Sequence, residues 1–304
     1  MKKISIVSGC YNEVENVEDL YIRVKSQMDK YEGKYEWEQI LIDNCSTDGT
    51  QDKLKELASK DNRVKVIFNA RNFGHIRSPF YGMMQASGDA VIYLASDLQD
   101  PPELIPDFIQ KWEDGFKLVV GQKTASKESK IMYTIRSFFY WFMEHIVDDG
   151  SSHIKHFTGF GLFDKQVIDI MRSTDDPYPY VRGLICDIGF EKAIVTYTQN
   201  KRERGITTNN FYTLYDNAMI GVVKHSKVLL RWAVFTSVIM GIASIFTILL
   251  SLLLRSGDIF IIGGFLFISA IQLFFVGIVG EYVGAIYTRV NKHPIVVEKE
   301  RINF

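Results

Sequence analysis

Two apolar runs stand back to back near the end of the chain, and no other feature restricts its architecture as strongly. Trp232 to Leu254 contains no Asp, Glu, Lys or Arg; after Arg255-Ser256-Gly257-Asp258 a second uncharged run extends from Ile259 to Gly280. At 1.5 Å per residue the first run makes a helix of roughly 34 Å, enough to cross a bilayer core of about 30 Å. Helices apolar on every side need lipid or a large protein core around them, and two such runs joined by a tight turn read as a transmembrane hairpin. Lys224, Lys227 and Arg231 precede it and Arg289 and Lys292 follow it, outnumbering the basic residues of the turn. The positive-inside rule therefore places both termini in the cytoplasm and the turn outside, as in a multi-pass protein of the cell (inner) membrane.

The remaining residues must supply a water-soluble domain. A net charge of −1 over 304 residues gives no basic surface and argues against a nucleic-acid partner. Cys10, Cys45 and Cys186 are scattered without metal-ligand spacing, and no cleavable signal peptide is read, in keeping with a reducing cytosolic setting. The divisions expected are a domain over 1–208, an amphipathic juxtamembrane segment over 209–231, two membrane helices within 232–287 (about 232–254 and 259–280), and a cytosolic tail over 288–304. Phe211 to Val223 mixes aromatic and polar residues ahead of Lys224 and His225, a pattern suited to a bilayer surface.

Within the first 208 residues, strand and helix patterns alternate. Ile4 to Cys10 reads as a strand, followed by a helix with Val17, Leu20, Tyr21, Val24 and Met28 at helical spacing. Glu38 to Ile42 and Val64 to Phe68 read as further strands separated by a helix that turns Leu54 and Leu57 inward. Such alternation predicts an α/β fold with a mostly parallel, doubly wound sheet. Ala90 onward is a short apolar strand leading to Asp97-Leu98-Gln99-Asp100 and then Pro101-Pro102, which open a helix. Carboxyl strand ends share one edge of a parallel sheet, where ligands bind. Read as an extended segment, this stretch puts Asp97 and Gln99 on one face, as hard oxygen donors for Mg²⁺ or Mn²⁺; standing alone it reads first as an Asp-Pro turn closing a strand. Asp100 and Glu103 are weaker site candidates, since either can instead cap the helix that Pro101 begins. The aromatic stretch Ile131 to Ile146 reads as either a buried core element or a lipid-contacting one, with core the favoured reading. Lys201-Arg202-Glu203-Arg204-Gly205 is either a phosphate clamp or a solvated charge run.

The ends of the first, second and fourth strands carry Tyr11-Asn12-Glu13, Asp43-Asn44-Cys45-Ser46-Thr47-Asp48-Gly49-Thr50 and Asp97-Leu98-Gln99-Asp100-Pro101-Pro102-Glu103. Arg71-Asn72-Phe73-Gly74-His75 follows the third, and Gly280-Glu281-Tyr282 follows the second apolar run. In these five motifs and the hairpin the chain resembles the membrane-bound polyprenyl-phosphate glycosyltransferases of the family 2 type, relatives of dolichol-phosphate mannose synthase and of bactoprenol glucosyltransferases. The resemblance covers nearly the whole chain. It implies a GT-A domain, a Rossmann-like fold for nucleotide sugars, followed by the hairpin. It implies nucleotide-sugar binding by Tyr11, Asn12, Glu13, Asp43, Arg71, Asn72, Gly74, His75, Asp97 and Gln99, with a divalent metal on Asp97 and Gln99. Three motifs depart from the family pattern: Ala95 replaces the first acid of an Asp-Ala-Asp motif, Asn44 and Cys45 replace Asp and Gly, and Gly159-Phe160-Gly161-Leu162 lacks an acid and an arginine.

The activity expected is inverting transfer of a sugar, UDP-linked, to polyprenyl (undecaprenyl) phosphate on the cytoplasmic face, for later modification of a cell-surface glycan. A phosphate monoester has a second pKa near 6 and is already anionic at cytosolic pH, so it attacks without a base. The departing diphosphate needs countercharge, assigned to the metal at Asp97 with Arg202 or Arg204. The scheme brings in a separate flippase and a downstream transferase as partners. Gly241, Gly263 and Gly264 permit the close helix contacts of a homo-oligomer. The alternatives are a non-catalytic membrane adaptor, which the loss of the acid at Ala95 would favour, and a polysaccharide synthase subunit, although two helices in one chain cannot enclose a polymer channel.

Overall fold

The structure is a computed structural model that describes residues 1–125, 157–174, 179, 181–199, 258–290 and 294–304. It divides into two compact units. One comprises Met1–Trp141, Ser151–Asn210 and Lys292–Phe304, the other Phe142–Gly150 and Phe211–Asn291.

The first unit is built on β1 (Lys2–Cys10), β2 (Tyr35–Asp43), β3 (Val64–Asn69), β4 (Ala90–Tyr93), β5 (Leu118–Ala125), β6 (Phe157–Asp164), β7 (Lys192–Thr198) and β8 (Glu298–Ile302). They form one sheet in the order β7-β5-β6-β4-β1-β2-β3-β8. β1 pairs in parallel with β2 and β4, β2 with β3, and β5 with β7; β6 runs antiparallel to both β4 and β5, and β8 antiparallel to β3. Helices cover both faces. On one, α1 (Val17–Met28), α2 (Thr50–Lys60) and α4 (Ile105–Glu113) bury Leu20, Val24, Leu54, Leu57, Phe108 and Ile109 against Ile4, Ile6 and Leu41. On the other, α3 (Arg77–Met84), α5 (Lys165–Ser173) and α6 (Val181–Asp187) bury Phe80, Met83, Val167 and Ile185 against Val7, Ile40, Ile42 and Val91. Burial on both faces explains why these strands read as continuous apolar runs rather than alternating ones.

The chain lays β1, β2 and β3 outward in one direction and then returns to place β4 on the other side of β1. That reversal opens a crevice between the carboxyl ends of β1 and β4, the switch point at which sheets of this kind take their ligands. The fit of α3 beneath it is tight: a Cβ added at Gly9, near the end of β1, would lie 2.7 Å from Pro79 Cγ.

Several features differ from the sequence expectation. β4 stops at Tyr93, four residues short of Asp97, although the Leu94 N–H still donates to Val7 O. The last residues, read as a tail, form edge strand β8, whose Glu298-Lys299-Glu300-Arg301 is typical of a charged sheet edge. In the second unit α7 runs from Asp258 to Val290, through Glu281 and ten residues past Gly280. It holds the one candidate membrane span among the described residues, Phe267–Tyr287. Phe265, Phe267, Phe274 and Val276 are 60–69% exposed there. The other run of the expected hairpin, Trp232 to Leu254, lies outside the described residues, as do the juxtamembrane segment, the aromatic stretch 131–146, Arg202 and Arg204.

Candidate active site

The ends of β1 and β2 are wired to each other by short polar side chains. Asn12, at a left-handed φ of 56°, donates its N–H to Ser46 Oγ (2.9 Å), and its Oδ1 accepts from the Thr47 N–H (2.9 Å). The Glu13 N–H donates to Thr50 Oγ1 (2.9 Å), and Asp48 accepts from the N–H groups of Val14 (3.2 Å) and Thr50 (3.0 Å). Desolvation pushes the Asp48 carboxyl up, but these donors and the Thr50 hydroxyl outweigh it and hold the group below its ordinary range. Tyr11 is 37% exposed beside this turn, whereas Glu13 is buried and accepts from the Asn16 amide.

Asp43 ends β2 fully buried. Its Oδ2 accepts from the Ser46 N–H (3.1 Å) and Gln51 Nε2 (2.9 Å), while Oδ1 has no hydrogen-bond partner. Burial raises its pKa despite those donors.

Asn44 is the hub for the next loop. Its Oδ1 accepts from the Phe73 N–H (2.8 Å) and Asn69 Nδ2 (3.1 Å), and its Nδ2 donates to Asn72 Oδ1 (2.8 Å) and Gly74 O (3.3 Å). Only an amide supplies donor and acceptor together in this way, so the family's Asp could not reproduce this set of bonds at position 44. Arg71, Asn72, Gly74 and His75 thus fall in a single loop. It turns at Gly74, where φ is 90°, and the Arg71 guanidinium lies 4.1 Å from the centre of the Phe73 ring.

At the end of β4 the Ser96 hydroxyl donates to Gly9 O (2.8 Å), tying the strand to β1 across the crevice. The segment beyond is not extended. Leu98 adopts a left-handed φ of 58° and the Gln99 N–H donates to Asp97 Oδ1 (3.2 Å), so the motif is a tight turn. Asp97 and Gln99 stay half-buried on it, while Leu98 and Asp100 are 6% and 4% exposed. Three of the four non-glycine residues with positive φ among the described residues, Asn12, Cys45 and Leu98, lie on these three strand ends. Unfavourable backbone concentrated at one edge is a common mark of a binding site.

The structure corrects the role expected of Asp100. Neither it nor Glu103 caps a helix. Asp100 Oδ1 accepts from the Tyr197 hydroxyl (2.5 Å) and from Gln199 Nε2 (3.4 Å), and Glu103 pairs with Arg23 (2.7 Å). Gln199 in turn accepts from the buried Lys123 ammonium. Burial, reinforced by the charge of Asp97, pushes the Asp100 carboxyl up to about 6; the Tyr197 and Gln199 hydrogen bonds and the charge of Lys123 oppose this. Lys123, Tyr197 and Gln199 escaped the sequence reading. Lys123 alone had a signal, a polar residue past Gly121 at the end of an apolar strand. Tyr197 and Gln199 reach Asp100 only through pairing of strands about 75 residues apart.

Among the described residues no group of three or more His, Cys, Asp or Glu side chains could hold a metal ion. The donors at the β4 turn are one carboxylate and one carboxamide, a hard and sparse set. It fits a divalent ion that takes most of its remaining ligands from phosphate and water.

A family model for glycosyl transferase family 2 matches residues 5–170. The uncharacterized glycosyltransferase YkcC of Bacillus subtilis (strain 168) is 32% identical over 96% of this chain and 92% of its own length. The SfII prophage-derived bactoprenol glucosyl transferase of Shigella flexneri is 29% identical over 98% of each chain. Among solved structures, glucosyl-3-phosphoglycerate synthase from Mycobacterium tuberculosis, in complex with Mn²⁺, UDP and phosphoglyceric acid, aligns over 73% of this chain and 76% of its own, with a TM-score of 0.50 and 17% identity. The sheet is thus a GT-A, Rossmann-like platform, and the chain, a glycosyltransferase, belongs to glycosyl transferase family 2.

Proposed function

We propose that this glycosyltransferase moves a sugar from a UDP-sugar to a polyprenyl phosphate at the cytoplasmic face of the inner membrane, with inversion at the anomeric carbon. The observation that carries the reading is convergence. The wired ends of β1 and β2, the Arg71–His75 loop and the Asp97 turn all belong to the carboxyl edge of the sheet, in a chain that also carries the apolar helix α7. Support for the acceptor comes from the relatives named bactoprenol glucosyl transferase, and for the donor and metal from the Mn²⁺ and UDP in the related synthase.

In this scheme Tyr11, Asn12, Glu13 and the Arg71–His75 loop surround the nucleoside. Asp43 Oδ1, which has no hydrogen-bond partner, is the acceptor assigned to a base N–H. Asp97 and Gln99 would hold Mg²⁺ or Mn²⁺, whose positive charge would offset the negative charge of the departing diphosphate. Lys123 adds a buried cation beside Asp100, and Arg202 and Arg204 are assigned to the phosphates. A lipid phosphate oxygen attacks C1 as its bond to the diphosphate oxygen breaks, and single displacement inverts the centre. The runs Trp232–Leu254 and Ile259–Gly280 form the hairpin, with both termini cytoplasmic. A flippase and a second transferase act on the product, and the hairpins allow self-association.

The test uses purified full-length protein, undecaprenyl phosphate, Mn²⁺ and a panel of nucleotide sugars, read by the mass of the lipid product. A glycosylated lipid from one donor supports the reading; intact nucleotide binding with no product from any donor would favour an adaptor. A Ser256→Cys variant labelled by an impermeant thiol reagent in intact cells checks the topology.

A further inference from the structure

We infer that residues 294–298, which follow α7, form a strap that fixes the shape of the Arg71–His75 loop and so positions the nucleoside diphosphate of the donor. The inference rests on the reading above only in taking that loop to be part of the donor site.

The strap holds the loop at both ends. Before it, the Ala70 N–H donates to Val297 O (2.9 Å); after it, Arg77 Nη2 donates to Pro294 O (2.6 Å). Arg77 also reaches the middle of the loop, with its guanidinium 5.4 Å from the centre of the Phe73 ring. The β3–β8 register shifts between Phe68 and Asn69 and resumes with Asn69 opposite Glu298, so the Ala70–Val297 bond carries the sheet edge up to the loop, while the Arg77–Pro294 bond is a side-chain tie beyond it. The strap is itself anchored. Val296 is 7% exposed, Ile295 packs on the cluster containing Phe80 and Met83 of α3, and Glu298 bonds to Arg301 (2.5 Å) and Tyr81.

The loop's own bonds set its turn: the Gly74 N–H donates to Asn72 Oδ1 (2.8 Å) and Arg71 Nη1 donates to Asn72 O (3.2 Å). Where that turn sits on the domain is decided by the buried Phe73, by Asn44 on the β2 side and by the strap on the other. Arg77 is the positioning residue that joins the two, since a planar guanidinium can stack on a ring and donate in its own plane at once.

The experiment compares wild type, Arg77→Ala and Arg77→Lys as full-length protein in lipid nanodiscs. It reads UDP binding with Mn²⁺ by calorimetry, and KM for donor and for lipid acceptor. Loss of one hydrogen bond from a charged donor should raise the UDP Kd and donor KM about tenfold, leaving acceptor KM and kcat within about twofold. Arg77→Lys, which keeps the charge without the plane, should fall between. An unchanged donor KM in Arg77→Ala overturns the inference. Hydrogen exchange separates a local from a global effect: faster exchange confined to the Phe73 and Gly74 amides supports the strap, and uniformly faster exchange refutes it. Wild type that binds no UDP would sink the functional reading, and the exchange result would still decide the strap.

Discussion

Two buried carboxylates lie at opposite edges of the same sheet, and they titrate in opposite directions. Glu38, near the amino edge, is 1% exposed and accepts from Lys3 (2.6 Å), Lys65 (2.8 Å), the Ser5 hydroxyl (2.6 Å) and the Ser87 N–H (2.8 Å). Desolvation works against it, yet these donors pull it down to about 2. Asp100, at the carboxyl edge, is 4% exposed and is pushed up to about 6 by burial and by neighbouring Asp97. Solvent exposure is nearly the same in both, but Asp100 lies deeper in the protein and lacks the two directly paired cations that Glu38 has. The amino edge neutralises its acid with two cations, as a structural element should. The carboxyl edge sets two acids near each other, an arrangement that favours the arrival of a cation.

The largest effect should come from Asp97. Asp97→Asn keeps the shape of the turn and removes its charge, so transfer should fall by about 10²–10³, and EDTA should abolish the wild-type rate. Glu38→Gln, assayed below its melting temperature, should keep a near-normal rate; a comparable loss there would break the comparison.

Next in size is the stability of the amino edge. Glu38→Ala leaves Lys3 and Lys65 facing each other without a counterion. Removing one partner of a buried cluster costs about 3–5 kcal/mol, and the partial exposure of both lysines argues for about 3. Thermal unfolding in detergent would measure this.

The pH dependence sharpens the contrast. The depressed pKa of Glu38 gives stability that is present above about pH 4.3 and lost as the pH falls toward 2. The raised pKa of Asp100 gives the reverse: its contribution is full below about pH 3.9 and lost as the pH rises through about 6. In metal-free protein, Asp100→Asn should therefore remove a decline in Tm between pH 4 and 6. A two-unit shift corresponds to at most about 3 kcal/mol. Wild type and variant with parallel Tm profiles over that range would show that Asp100 is not strained by its surroundings.

The smallest effect concerns the turn after β2. Cys45 sits at φ 66°, in the left-handed region where the family pattern has Gly. Cys45→Gly should relieve that strain and raise stability by less than about 1 kcal/mol, since the added flexibility of glycine in the unfolded chain offsets part of the gain. A lower Tm would mean that the Cys45 side chain contributes more than its backbone costs.

What the sequence revealed and what it concealed follow the range of the interactions. β1 to β4 and helices α1 and α2 were legible because their apolar spacing is local, and the polar strand ends marked the site. The left-handed Leu98 was not, because leucine gives no sign of positive φ, although the Asp-Pro pair marks a turn at this place. The partnership of Asp100 with Tyr197 needs β5, β6 and β7 to be in place first. β8 escaped because Glu298-Lys299-Glu300-Arg301 reads as solvated, and its partner lies some 230 residues earlier.

That last strand has a topological consequence. Each passage through a bilayer carries a chain to the opposite face, so only an even number of passages returns it to the side it left. β8 is hydrogen-bonded to β3, in the sheet that begins with Lys2. If α7 is one passage, β8 can reach β3 only when the chain crosses the bilayer an odd number of other times. Once α7 is taken as a passage, that condition follows from one antiparallel pairing.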